Sequence, residues 1–346
     1  MKIDSYNIDQ NSPVFIIAEL SANHNGSLEN ALETIKAAKR AGADCIKLQT
    51  YTADTMTIDS NKEDFRLKQG TIWDDKYFYQ LYQEAYTPWE WHEQLFAAAK
   101  KEGLVCFSSP FDASAVDFLE NLNAPAYKIA SFEITDIPLI EYAASTGKPI
   151  IISTGIARQE DIELALDACK RVGNHNIALL KCTSSYPAPI EEANMIMVKD
   201  LADRYNVISG LSDHTIGSTV PVVATCFGAK IIEKHFIIDR SIGGPDASFS
   251  MNEKEFTEMV RAVREAEKAI GTVDYNLTEK QIKGREFCRS LYVVEDLKAG
   301  DIISVDNVRS IRPGYGEHPK MLKDVLGKIV RSDISRGERF TLNILK

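Results

Sequence analysis

Short runs of apolar residues recur along positions 14–236, and many end in Ser, Thr, Lys, Glu or His. Eight stand out: VFIIAEL (14–20), CIKLQT (45–50), VCFSS (105–109), AYKIAS (126–131), PIIIST (149–154), IALLKC (177–182), VISGLS (207–212) and IIEKHF (231–236). Segments of helical character separate them, among them 28–41, 89–102, 159–172 and 252–270. In the first, Leu28, Leu32, Ile35 and Ala38 fall near helical spacing, and Gly42 provides a stop. Runs that are apolar throughout suit strands buried on both faces, and regular strand–helix alternation favours a parallel sheet. Eight units in about 260 residues predict a (β/α)8 TIM barrel, a fold that takes ~250 residues and carries its chemistry at the C-terminal strand ends. An open doubly wound sheet is the structural alternative, but no GxGxxG follows the first strand.

The pattern changes twice. Residues 51–88 are long for a barrel loop, and loops of that length usually carry function or structure of their own. They follow the second strand, which places them over the expected active-site mouth. Their aromatics Trp73, Tyr77, Phe78, Tyr79, Tyr82 and Tyr86 suit either a sugar pocket or a short helix packed on the barrel. Near residue 275 the chain turns polar, then reads as short strands around KAGD and SRGERFT turns. The expected organisation is a barrel over 1–270, a linker over 271–285 and a small β-rich domain over 286–346.

Composition allows a soluble enzyme. A net charge of −10 over 346 residues argues against general binding to nucleic acid or an anionic membrane. No apolar run approaches the ~20 residues of a membrane span, and MKIDSYNIDQ lacks the profile of a signal peptide. The six cysteines are scattered and form no CxxC pair, which fits reduced thiols in a cytoplasm.

Strand side chains alternate, so Lys47 pairs with Gln49, Ser212 with His214, and Glu233 with His235 on shared faces. Charged groups inside apolar strands are costly unless they meet a partner or a ligand. One pair reads as a salt bridge; several strand ends together read as a binding site. The inward set is Glu19, Lys47, Gln49, Lys128, Glu233 and His235. The rim set is Ser109, Ser131, Glu133, Ser153, Ser184, Tyr186, Ser212 and His214. Ammonium groups and hydroxyls suit a phosphorylated or carboxylated substrate. A serine before a helix is more often an N-cap, and FSSPFD and STGIARQED both permit that. His214 and His235 close two consecutive strands and suit one metal ion with open coordination positions. His24, His92, His175 and His318 are expected to be structural.

The motifs AELSANHNGS, IKLQTY, FSSPFD, YKIAS-FEITD, ISTGIA, KCTSSYPAP, GLSDHT and EKHFIIDR come in the order seen in the sialic acid synthase family, which the chain resembles over nearly its whole length. RSLYVVEDLKAGD and IRPGYG resemble that family's small SAF, or antifreeze-like, domain. The resemblance implies condensation of phosphoenolpyruvate with an open-chain acetamido sugar and water, giving a nine-carbon 2-keto acid and phosphate. It implies a divalent ion (Mn²⁺, Mg²⁺ or Co²⁺) held by His214 and His235. Lys47, Lys128, Ser109, Ser131, Ser153, Ser184 and Ser212 match phosphoenolpyruvate contacts, although other members carry an amide at Ser184. Glu19, Gln49, Tyr186, Asp246 and Phe287 match sugar-facing positions. Glu133 matches a carboxylate near the reacting centre, so that Glu19, Glu133, His214 and His235 form the catalytic set. Arg312 matches an arginine that reaches the partner subunit's active site in a domain-exchanged homodimer. The insert after the second strand resembles the branch that uses 2,4-diacetamido-2,4,6-trideoxy-L-altrose, with N-acetylmannosamine the alternative acceptor.

Two other classes remain open on the residues alone. Lys47 or Lys128 suits a Schiff-base aldolase. The C-terminal domain by itself suggests a non-catalytic sugar- or ice-binding protein.

Overall fold

The computed structural model describes residues 1–68, 70 and 73–346. The chain divides into two compact units, Met1–Gly271 and Thr272–Lys346.

The first unit is a closed barrel of eight parallel strands. They are β1 (Phe15–Glu19), β2 (Cys45–Thr50), β3 (Val105–Pro110), β4 (Tyr127–Ile129), β5 (Ile150–Ser153), β6 (Ile177–Cys182), β7 (Ile208–Asp213) and β8 (Ile231–His235). Each pairs with the next, and β8 pairs with β1, so all eight expected runs are strands. A long helix follows each strand: α1 (Leu28–Arg40), α2 (His92–Glu102), α3 (Ala113–Asn121), α4 (Ile137–Ser145), α5 (Gln159–Arg171), α6 (Ile196–Tyr205), α7 (Thr219–Cys226) and α8 (Glu253–Ile270). Local signals fix their starts. Ser27 caps α1, Asp112 caps α3, Asp136 caps α4, and Asn252 with Glu255 forms a capping box on α8.

The alternation of each strand sorts its side chains into two layers. Ile16, Ala18, Ile46, Leu48, Leu211, Ile232 and Phe236 face outward and pack under the helices. Phe15, Ile17, Cys45, Val105, Phe107, Ile151, Leu180 and Ile231 fill the interior. A short ribbon, Lys2–Ile3 with Tyr6–Asn7, plugs the N-terminal end, where Tyr6 packs edge-on against Phe15 at 5.0 Å. The interior is therefore apolar in its lower half. Two residues further along most strands it turns polar: Ile17 gives way to Glu19, Cys45 to Lys47, Ile151 to Ser153, Gly210 to Ser212, and Ile231 to Glu233.

The second unit pairs Ser290–Val293 antiparallel with Val308–Ile311 and adds isolated bridges. Leu291, Val293, Leu297, Val308, Val330 and Phe340 form its core. The polar stretch expected as a linker contains a short helix, Glu279–Gly284, started by a Thr278–Gln281 capping box.

Candidate active site

The polar half of the barrel interior holds four charged groups in one chain of contacts. Lys47 Nζ lies 2.6 Å from Glu19 Oε2 and 3.7 Å from Glu233 Oε1, and Lys128 Nζ lies 3.4 Å from Glu233 Oε1. All four residues are at most 5% exposed. Hydroxyl and amide donors complete the set. Ser212 Oγ donates to Glu233 Oε1 at 3.2 Å, Lys47 donates to Ser109 Oγ at 3.2 Å, and Gln49 Nε2 donates to Glu19 Oε1 at 3.1 Å. Two carboxylates and two ammoniums balance, which offsets part of the large cost of burying each charge.

Burial raises Glu19 to about 7 against the opposing pull of Lys47. Burial also disfavours an ionised Glu233, but Lys128 and Lys47 outweigh it and hold that carboxylate below its usual range. Burial lowers Lys128, with Glu233 opposing. Lys47 is raised: burial works against its charge, and Glu19 and Glu233 more than offset it. Glu133 stands on the loop after β4; burial pushes it to about 7, and its Oε2 is buried without a hydrogen-bond partner. Ser153 Oγ and Glu233 Oε2 are likewise buried and unpartnered among the described residues. Native interiors rarely leave such atoms unsatisfied, so a cluster of them marks a place for a ligand.

The serine rim is not a row of helix caps. Asp112 caps α3, so Ser109 is free to accept from Lys47. Arg158 and Asp161 start α5, so Ser153 is not needed there. Ser184 Oγ donates to Ser131 Oγ at 2.9 Å, and Ser131 Oγ accepts from the Ile156 amide at 3.1 Å. Gly155 lets the three loops meet, since a Cβ there would lie 2.2 Å from Ser184 Oγ and 2.6 Å from Ser131 Oγ.

His214 and His235 stand with ring centroids 5.4 Å apart. Imidazole nitrogens bind an ion at about 2.0–2.1 Å, so rings this close can share one. His214 Nδ1 donates to the Thr183 carbonyl at 2.9 Å, which leaves Nε2 available. His235 Nδ1 is buried without a hydrogen-bond partner, with Asp246 Oδ2 at 3.8 Å. Burial and the neighbouring His214 hold His235 well below the ordinary histidine value, hence neutral, as a ligand must be. Among the described residues no three His, Cys, Asp or Glu side chains are grouped to cage an ion alone. The pair therefore fits an ion that keeps open positions.

Aromatic rings wall the imidazoles. Tyr186 lies 4.4 Å from His214, Phe249 lies 5.1 Å from both Tyr186 and His235, and Trp73 lies 5.6 Å from Tyr186. The Trp73 indole donates to the Pro245 carbonyl at 3.1 Å. Next to it, Asp246 Oδ2 accepts from Ser21 Oγ at 2.5 Å. Trp73 thus joins the site from the insert. Tyr82 packs against Tyr51 and Phe78, and burial together with the nearby Glu133 raises its hydroxyl, so it borders the site as well. Tyr79 donates to Asp54 and serves the insert helix Phe78–Ala85.

The barrel brings together Glu19, Lys47, Gln49, Ser109, Lys128, Ser131, Glu133, Ser153, Ser184, Tyr186, Ser212, His214, His235 and Asp246. Phe287 and Arg312 lie in the second unit, both exposed. Glu233 belongs at the centre of the site beside these; its i,i+2 relation to His235 was the signal for it. Trp73, Phe249 and Gly155 gave no comparable signal, because rings and glycines occur for many reasons. Lys181 faces outward and donates to the Cys182 carbonyl. His24 and His92 are buried and bonded to Thr87 and Thr50 respectively, away from the cluster. A cavity of about 790 Å³ lies at the opposite end, lined by Met1, His175, Asn206 and Phe227, and holds none of this chemistry.

The chain is 49% identical over 338 residues to a pseudaminic acid synthase of Campylobacter jejuni, covering 98% of each. It is 49% identical over 317 residues to a pseudaminic acid synthase of Helicobacter pylori, covering 91% of this chain and 93% of that one. The solved N-acetylneuraminic acid synthetase of Leptospira borgpetersenii, in complex with citrate, superposes with a TM-score of 0.74 at 31% identity, covering 83% of this chain and 95% of that one. A SAF domain model matches residues 289–343, and the NeuB family model matches residues 34–275. With the family model matching most of the barrel and full-length relatives at 49% identity, the chain belongs to the NeuB family.

Proposed function

We propose that the chain acts as a pseudaminic acid synthase, joining phosphoenolpyruvate to 2,4-diacetamido-2,4,6-trideoxy-L-altrose and water, with pseudaminic acid and phosphate as products. The observation that carries this reading is the buried Glu19–Lys47–Glu233–Lys128 chain lying under two adjacent imidazoles. The likeness to pseudaminic acid synthases over 98% of the chain supports the choice of acceptor.

In this reading, C3 of phosphoenolpyruvate bonds to the sugar's aldehyde carbon, whose oxygen takes up a proton. C2 becomes electron-poor and accepts water. The water's proton leaves, and the tetrahedral adduct collapses to the ketone as phosphate departs. Lys47 and Lys128 neutralise the anionic groups, and Glu233 pins both ammoniums against drift. Ser109, Ser131, Ser153, Ser184 and Ser212 offer hydroxyls to phosphate or carboxylate oxygens. Glu133, with a value of about 7, is suited to take the water's proton near neutral pH. His214 and His235 would hold a divalent ion, which supplies Lewis-acid polarisation of the aldehyde. Glu19, Gln49, Tyr186 and Asp246 face the sugar.

Phe132, Ile156, Ile190 and Ile216 stand 55%, 48%, 52% and 71% exposed on the loops after β4, β5, β6 and β7. An apolar rim of this kind suits cover by a second copy of the chain. Arg312 has no ion pair among the described residues, which suits a role in that copy's site as part of a domain-exchanged homodimer. Four buried free cysteines fit a reducing cytoplasm. No helix among the described residues is long and apolar enough to cross a membrane.

The test is phosphate release under one metal, comparing the trideoxy-diacetamido sugar with N-acetylmannosamine. The expected result is at least tenfold higher kcat/KM for the former. A preference for N-acetylmannosamine would move the chain to the N-acetylneuraminate branch. A borohydride-trapped pyruvate adduct on Lys47 or Lys128, with no phosphate released, would replace the synthase by an aldolase.

A further inference from the structure

Lys234 sits between Glu233 and His235 on β8 but points the opposite way, into the apolar layer beneath the helices. Its neighbours on that face are Ile232 and Phe236. There it is 2% exposed and meets Asp213, itself 3% exposed, at 2.5 Å. The two residues are direct cross-strand partners in the β7–β8 pairing. Lys234 also donates to the Thr215 and Gly217 carbonyls, while Asp213 Oδ1 accepts from the Thr215 amide at 3.0 Å. One ammonium and one carboxylate therefore close the turn 213–217 onto β8.

That turn carries His214. Each imidazole is thus chain-adjacent to one member of the pair: His214 to Asp213, His235 to Lys234. A buried ion pair in an apolar layer is often no more stable than an apolar pair of the same volume. Stability alone is a weak reason for this one, and its placement supplies a better one. We propose that Lys234 and Asp213 are positioning residues that fix the separation of the two imidazoles, and with it the affinity of the site for a divalent ion. The inference rests on the metal reading given above. Neither side chain reaches the barrel interior, so neither touches the phosphoenolpyruvate cradle directly, and Ser212 and Glu233, their other chain neighbours, are held there by contacts of their own.

The test uses the full-length chain. The double variant Asp213→Asn/Lys234→Met removes both charges and leaves no unpaired one. Mn²⁺ binding is read from free-ion electron paramagnetic resonance, and phosphoenolpyruvate binding from calorimetry without metal. The expected result is a 10–100-fold rise in the Mn²⁺ Kd, the range seen when groups that orient metal ligands are removed. The phosphoenolpyruvate Kd stays within twofold, and Asp213→Glu recovers part of the Mn²⁺ affinity. Mn²⁺ affinity within twofold of the parent would overturn the proposal. If the double variant does not fold, Asp213→Asn, which leaves Lys234 its two carbonyls, carries the same test. If neither folds, the pair is a stability element and the proposal falls. His235→Ala serves as control: undiminished Mn²⁺ binding there would overturn the metal reading, and the positioning proposal with it.

Discussion

At the scale of single residues, buried carboxyls set the pH behaviour. Glu133 is raised from the usual glutamate range to about 7 by burial. Its folded form holds a proton more tightly than the unfolded chain does. The stability it contributes is complete below about 4.5 and is lost as pH rises through about 7. Glu133→Gln should therefore unfold higher than the parent at pH 8, by about 1–3 kcal/mol, or several degrees, and near the parent at pH 5. Calorimetry at the two pH values checks the difference. If Glu133 also handles the water's proton, the same variant loses at least 10²-fold in kcat and keeps its substrate affinities; near-normal turnover would remove it from the mechanism.

Trp73 offers a residue-level test of acceptor choice. The proposed sugar differs from N-acetylmannosamine by carrying methyl-bearing groups where the latter has hydroxyls, and an aromatic wall favours the apolar ends. Trp73→Ala should raise KM for the trideoxy sugar about tenfold or more, with Mn²⁺ affinity unchanged. The lysines and histidines of the site were legible because charge inside an apolar run demands a reason. Serines were ambiguous until Asp112 and Asp161 were seen to start α3 and α5. Trp73 was indistinguishable from insert aromatics such as Tyr79, which bonds Asp54 away from the site.

At the scale of elements, period-two alternation explains both the core and the site. One strand face places an apolar residue low in the barrel and a functional one two positions higher, so β8 could be read directly as Ile231, Glu233, His235. Outward-facing chemistry was less legible, because Lys234 looks like one more charge in EKHF. Gly210 shows the steric limit on this arrangement. A Cβ there would lie 2.3 Å from the Ile231 carbonyl and 2.8 Å from Leu180 Cδ2. Gly210→Ala should wedge β7 from β8 and cost ~1–3 kcal/mol or more, as overpacking does. A melting temperature within 2 °C of the parent, or about 1 kcal/mol, would contradict that packing.

At the scale of the whole molecule, strand counting recovers the barrel, and the change of pattern near residue 275 announces a second fold. What strand counting does not supply is a partner. The proposed second copy rests on exposed Phe132, Ile156, Ile190 and Ile216 around the mouth and on Arg312 in the SAF domain. Mixing Arg312→Ala chains with His235→Ala chains should restore part of the activity each lacks, since one site in a mixed dimer would be intact. No recovery after subunit exchange, checked by mass spectrometry, would count against the exchanged dimer.

The central claim is that one ion joins the imidazoles of β7 and β8 above the Lys47–Glu233–Lys128 cradle. Anomalous diffraction from crystals grown with Mn²⁺ and phosphoenolpyruvate tests it most directly. The account predicts a single strong peak about 2.0–2.3 Å from one nitrogen of each histidine, with the phosphoenolpyruvate anion against Lys47 and Lys128. A peak bound elsewhere, or none beside well-ordered phosphoenolpyruvate, would contradict it.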